Sequence, residues 1–370
     1  MPEGGTGREG GATPEGGTRP RGGTKRGAVA DVLREAVRSG TIPGAVFASG
    51  APGRPTEVVV AGAAQARGGP RRAMARDTLF DLASLTKVVA TLPAVLRLAE
   101  LSALTLDDRV TRFLPAFRGE RRDEITVRQL LTHTAGLPAE IAFWRHYDDP
   151  DQASQALLGA RVEHPPGTRV VYSDVGFMLL GRIVSAITGT ALDVSVAELV
   201  TGPLAMTRTC FRPRAGLPPA VAATELQPDG TALAGIVHDE NARFFGGVAG
   251  HAGLFAPVDD LARYLDAAWL GGQFLSLPWR REACRPQTEG LGGVRGLGWV
   301  LRGDPADPLG RWWPPGSVSH TGFTGTSLAC DPVGGAWAVL LSNEVHFGRG
   351  RGVIRALREA VHDRCAPARR

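Results

Sequence analysis

Short β-like runs stand near both ends of this chain, and helical patterning fills the space between them. Residues 45–48 and 57–61 are apolar segments split by a Pro/Gly turn, and short strands return over 317–329 and 336–342. Residues 28–37 place Val29, Val32, Leu33, Ala36 and Val37 at helical spacing and stop at Ser39 and Gly40, while a closing helix is predicted over 353–362. Strands from both ends with helices between them predict an α+β fold. One antiparallel sheet is formed from both termini and flanked by helices, with an inserted helical subdomain at about 104–230. The clearest buried helix is predicted over 175–187. The run that starts at Thr86 reads as a second, with Pro93 kinking it or marking a boundary. A cleft between sheet and helices is the natural place for a site.

Composition narrows the class. An apolar content of 43% and a charged content of 21% suit a globular domain. Residues 1–25 form a Gly/Pro/Thr/Glu/Arg tail that cannot bury enough apolar surface to order itself, which leaves 26–370 as the folded domain. The N-terminus lacks an apolar run that could serve as a signal-peptide core, so a cytoplasmic location is expected. No stretch of about 18 apolar residues suggests a membrane span. The net charge of +5 is concentrated at the two ends, and the basic C-terminal helix reads as a solvated face; no motif or aromatic interleaving points to nucleic acid. Cys210, Cys284, Cys330 and Cys365 show no C-x-x-C pattern and read as reduced thiols.

The 42 basic residues include only two lysines, Lys25 in the tail and Lys87 in the stretch DLASLTKVVAT. An amine can lose its proton in a protein site, whereas a guanidinium keeps its own. On a helix, positions i and i+3 share a face, so Ser84 Oγ and Lys87 Nζ can meet, as a nucleophile and its base must. The alternative is a helix start with a solvated lysine. Two later stretches add candidates: Tyr172, Ser173 and Asp174 just before the predicted buried helix, and His320, Thr321 and Gly322 at the start of a strand pair. The bland readings are a loop aromatic packing its ring and a strand-entry turn.

Taken in order, Ser84-Leu85-Thr86-Lys87, Tyr172-Ser173-Asp174 and His320-Thr321-Gly322 resemble the Ser-x-x-Lys, Tyr-x-Asn and Lys/His-Thr-Gly motifs of the serine β-lactamase and penicillin-binding-protein-like hydrolases, especially the branch of class C β-lactamases, D-peptidases and esterases. The stretches LLTHTAGLP, PPGTRVVYSD and HDENARFFGGVAGHAGLF extend the likeness from about Val29 to the last helix. The resemblance implies an acyl-enzyme at Ser84, with Lys87 helping to remove the serine proton and Tyr172 relaying it. It also implies an oxyanion hole from the N–H groups of Ser84 and Phe323, and substrate binding by Asp174, His320, Thr321, Gly322 and Phe323. The charge of His320 is tunable near neutral pH, so it could bind a substrate carboxylate only when protonated.

Asp174 departs from the pattern. An asparagine there donates its amide to a substrate carbonyl, whereas an ionised aspartate only accepts. Ester substrates gain weight, and Asp174 could instead pair with Lys87, raising its pKa. The expected function is a serine hydrolase acting on small acyl esters. A β-lactamase, D-alanyl-D-alanine carboxypeptidase or D-aminopeptidase is the alternative, and a non-catalytic binding protein of the same fold the second. No cofactor is expected. His238, Asp239, Glu240 and His251 fit no familiar metal-ligand spacing and read as a loop bordering the cleft, while His133 reads as a structural histidine.

Overall fold

The computed structural model describes residues 25–51, 54, 56–213, 220–272 and 274–367. The expected tail, 1–25, lies outside the described residues apart from Lys25, which opens the first helix, Lys25–Arg38. The strands are β1 Gly44–Gly50, β2 Glu57–Gln65, β3 Arg72–Ala73, β4 Phe80–Asp81, β5 Cys210–Phe211, β6 Leu254–Ala256, β7 Val300–Leu301, β8 Val318–Thr321, β9 Ser327–Asp331 and β10 Ala336–Ser342. Seven of them form one sheet in the order β3-β2-β1-β10-β9-β8-β7. At its centre the first strand pairs antiparallel with the last, Ala45 opposite Ser342 and Phe47 opposite Leu340. The sheet joins both ends of the chain, as the pattern predicts.

Successive strand residues point to opposite faces. Phe47, Leu340 and Ala338 meet Val29 and Leu33 of the first helix and Leu357 and Val361 of the helix Ile354–Cys365. Val46, Val339 and Leu341 face the other way, into a core shared with Val88, Leu92, Leu261 and Trp299. Both faces are covered, which is why β10 reads AWAVLLS without a polar alternation. Helices continue beyond residue 230, with Val258–Tyr264 and Leu277–Cys284. A small second sheet, β4-β6-β5, draws its very short strands from three distant parts of the chain, and they leave little period-two signal.

Two helices place the chemistry. After the single tight turn Ala83–Leu85, residues Lys87–Thr91 form a widened helical turn in which Leu92 N–H donates to Lys87 O, five residues back. The regular helix Leu92–Glu100 follows with Pro93 in its first turn, where a missing N–H costs little, so Pro93 marks a boundary. The helix Asp174–Thr188 is capped by Ser173, whose Oγ accepts from Gly176 N–H at 3.1 Å and donates to Pro138 O at 2.6 Å. That cap puts Asp174 in the first turn, where the helix dipole favours a carboxylate. No single helix among the described residues is long and apolar enough to cross a membrane.

Candidate active site

Ser84 sits on a strained turn that several buried groups hold in place. Ala83, just before it, has φ +46°, a left-handed conformation costing an L-residue about 1–2 kcal/mol. The buried Asp81 carboxylate accepts from Ala83 N–H at 2.8 Å and from His238 N–H at 2.6 Å. Thr324 and Thr326 donate their hydroxyls to Asp81 O at 2.7 Å and Leu82 O at 3.2 Å. A Cβ on Gly322 would come within 2.3 Å of Leu82 O, so only glycine allows the β8–β9 turn to lie this close to the nucleophile.

Three turns of chain converge on Lys87. Its ammonium is fully buried and donates to Ser84 Oγ at 2.9 Å and to His251 O at 3.3 Å. It lies 2.7 Å from Asp174 Oδ1 and 4.9 Å from the Tyr172 ring centre. Burial alone would favour the neutral amine, but the charge of Asp174 and the neighbouring Tyr172 outweigh it and hold Lys87 above its usual pKa. Lys87 is thus an ammonium ion at rest. The reading that a lysine stands here because it can be neutral does not describe this state; its partner Asp174 prevents it.

Tyr172 packs against His133, with ring centres 4.6 Å apart. His133 Nδ1 accepts from Ser173 N–H at 3.0 Å, so its proton is on Nε2, and burial together with Arg295 and Lys87 keeps the ring neutral. His133 is therefore a hydrogen-bonded structural histidine. The Arg295 guanidinium lies 5.9 Å from the Tyr172 ring centre and pairs with buried Asp304 at 3.0 Å.

The opposite wall is β8 and its turn. Ser84, Tyr172, Arg295, His320, Phe323 and Arg358 share the lining of a cavity of about 450 Å³, to which Thr321 and Gly322 also contribute. His320 Nδ1 donates to Thr321 O at 2.9 Å, leaving a buried Nε2 without a hydrogen-bond partner. Burial and the nearby Lys87 and Arg295 push its pKa well below 6.5 and so disfavour the protonated form that a carboxylate-binding His320 would need. Phe323 is 56% exposed and stacks on His238 at 5.6 Å. Neither the Ser84 N–H nor the Phe323 N–H donates to another protein group among the described residues.

The loop after residue 237 borders the cleft. Asp239 Oδ1 meets His251 Nε2 at 2.9 Å, and the carboxylate is held below its usual range because that contact outweighs its burial. Ligand atoms of Asp174, Asp239 and His251 fall within 4.8 Å of one another, dimensions a metal ion could use. The Lys87 ammonium already balances Asp174, and a second cation there would face it. Arg295, Arg351 and Arg358 line the cleft without any motif in the sequence to mark them. Arg358 lies on the helix read as a solvated basic face, yet it is buried.

The family model for β-lactamase matches residues 29–362. A putative D-alanyl-D-alanine carboxypeptidase of Escherichia coli (strain K12) is 35% identical over 302 residues, covering 73% of this chain and 70% of that protein. Among solved structures, EstCE1, a hydrolase with promiscuous acyltransferase activity, is 24% identical with a TM-score of 0.72, covering 91% of this chain and 98% of the other. A class C β-lactamase from Rhodobacter sphaeroides is 21% identical, with a TM-score of 0.72 and the same coverage of each chain. Both structures share the fold.

Proposed function

The chain belongs to the β-lactamase family and is a serine hydrolase; we propose that it works through an acyl-enzyme at Ser84 and acts on small acyl esters. The observation that carries this reading is Ser84 Oγ, 2.9 Å from the Lys87 ammonium in an open cavity, with Asp174 spent on that ammonium. Ser84 Oγ attacks the ester carbonyl, and the oxygen that becomes negative takes the N–H groups of Ser84 and Phe323. Donors of this kind are worth about 3 kcal/mol each in acyl transfer. Lys87 is already charged and cannot take the serine proton, so the proton is shuttled: it passes to the Tyr172 oxygen as the phenol's own proton goes to the leaving oxygen, whose bond to the carbonyl carbon breaks. Water enters by the reverse of these steps and releases the acid.

Asp174 tips the choice toward esters. Its carboxylate has no N–H to offer the side-chain amide of a peptide or β-lactam substrate. A second reading, a D-peptide carboxypeptidase, draws support from Arg295 and Arg351 on the cleft wall, which could receive a terminal carboxylate, and from the name carried by the relative of Escherichia coli.

Intact-protein mass spectrometry with peptide mapping, after exposure to a p-nitrophenyl ester and separately to a penicillin, tests both. An adduct on Ser84 that turns over with the ester, with a D-Ala-D-Ala peptide cleaved more slowly, supports the esterase. Faster cleavage of that peptide than of the ester favours the second reading, fast turnover of the penicillin favours a β-lactamase, and an adduct on another residue refutes all of them.

A further inference from the structure

The turn between β8 and β9 is gripped by an arginine from the far end of the chain. Arg358 Nη2 donates to Gly322 O at 2.6 Å and to Thr326 O at 3.0 Å. The side chain is buried and pairs with no carboxylate among the described residues. Its guanidinium is spent on the carbonyls of one turn, the same turn whose threonines are bonded to Asp81 and Leu82 beside the nucleophile. Burial pushes the Arg358 pKa down to about 10, with the charge of Glu344 opposing that shift, so the cation persists at neutral pH.

Gly322 C=O and Phe323 N–H belong to one peptide unit, and in a trans peptide the two point in opposite directions. Anchoring the carbonyl oxygen on Arg358 therefore fixes the direction of the N–H. A cation at the oxygen end also polarises the unit and makes the N–H a stronger donor. We propose that Arg358 is a positioning residue for acyl transfer: it aims and polarises the Phe323 N–H toward the oxygen that becomes negative when Ser84 attacks. This rests on the reading of Ser84 as nucleophile and Phe323 N–H as oxyanion donor. In that step the Ser84 Oγ–carbon bond forms, the carbonyl π pair moves onto oxygen and the serine proton passes to Tyr172, whose own proton is handed to the leaving oxygen. The charge exists only beyond the ground state, so the effect falls on kcat more than on KM.

The test uses Arg358→Met and Arg358→Lys in the full chain with a p-nitrophenyl ester carrying a ¹³C-labelled carbonyl. For Arg358→Met, kcat should fall about 10- to 100-fold with KM within about twofold, and Arg358→Lys should recover part of the loss. The acyl-enzyme carbonyl stretch, read by infrared difference spectroscopy, should move to higher frequency as the hydrogen bond weakens. A loss confined to KM would make Arg358 a binding group, and an unchanged stretch in a folded variant would overturn the proposal. Should Arg358→Met fail to fold, Arg358→Lys carries the same infrared comparison. An absent Ser84 adduct in the wild-type protein would sink the acyl-enzyme reading itself; an adduct present with the stretch unmoved would sink only the role of Arg358.

Discussion

Lys87 and His320 are both basic, both buried and both within reach of the same cavity, yet they carry opposite charge states. Lys87 has a carboxylate at 2.7 Å and keeps its proton. His320 has cations nearby and, among the described residues, a backbone carbonyl as its hydrogen-bond partner, and it stays neutral. Burial penalises both charges; what differs is whether an anion is built in beside the base. The cleft therefore has a cation on the serine side and a neutral acceptor on the strand side, with Arg295 and Arg358 supplying positive charge from behind.

The strongest way to break this contrast is Lys87→Met. Removing the ammonium should lower kcat/KM by about 10³-fold or more and leave Asp174, 22% exposed, without its partner. Adding Asp174→Asn should recover stability and no turnover, which thermal melts and ester kinetics on the two variants would separate. His320→Gln keeps a neutral, hydrogen-bonding side chain and should change ester turnover less than about tenfold. A loss matching that of Lys87→Met would mean that the histidine works as a cation after all.

Acid should attack the strand side. His362, hydrogen-bonded to Ser327 Oγ at 3.0 Å, is pushed down to about 3 by burial and by Arg358. Unfolded histidine takes up its proton near pH 6.5, so between those values the unfolded chain binds more protons and stability falls as pH falls. Melting temperatures should decline steadily from pH 7 to pH 4, and His362→Gln should flatten that decline. The smallest effect is expected at the rim: Arg349→Ala removes partly exposed pairs with Glu225 and Glu240 and should cost less than about 1 kcal/mol in chemical denaturation.

The Ser84 side was legible in the sequence because its parts lie three residues apart on one helical turn or directly before a capped helix. The central sheet was legible because apolar runs at both ends needed each other. The strand side was not. Arg295 and Arg358 reach the cleft through loop and helix packing across the domain, and an arginine on a terminal helix looks the same whether it faces water or a backbone carbonyl. Charge states were equally hidden. Asp174 was recognisable as a possible partner for Lys87, but only the 2.7 Å separation decides that it is one, and the charge of His320, tunable as far as the sequence goes, is disfavoured by burial and by cations far away in the chain.

The chain's scarcity of lysine makes the decisive measurement simple. Protein labelled with ¹³C at lysine Cε gives two signals, from Lys25 and Lys87, and Lys25→Arg assigns them. A Lys87 signal that keeps its ammonium shift from pH 6 to pH 10, and loses it earlier in Asp174→Asn, is the predicted result. A Lys87 that titrates near neutral pH in the wild-type protein would make it the neutral base, and would contradict the charge arrangement from which the proposed chemistry follows.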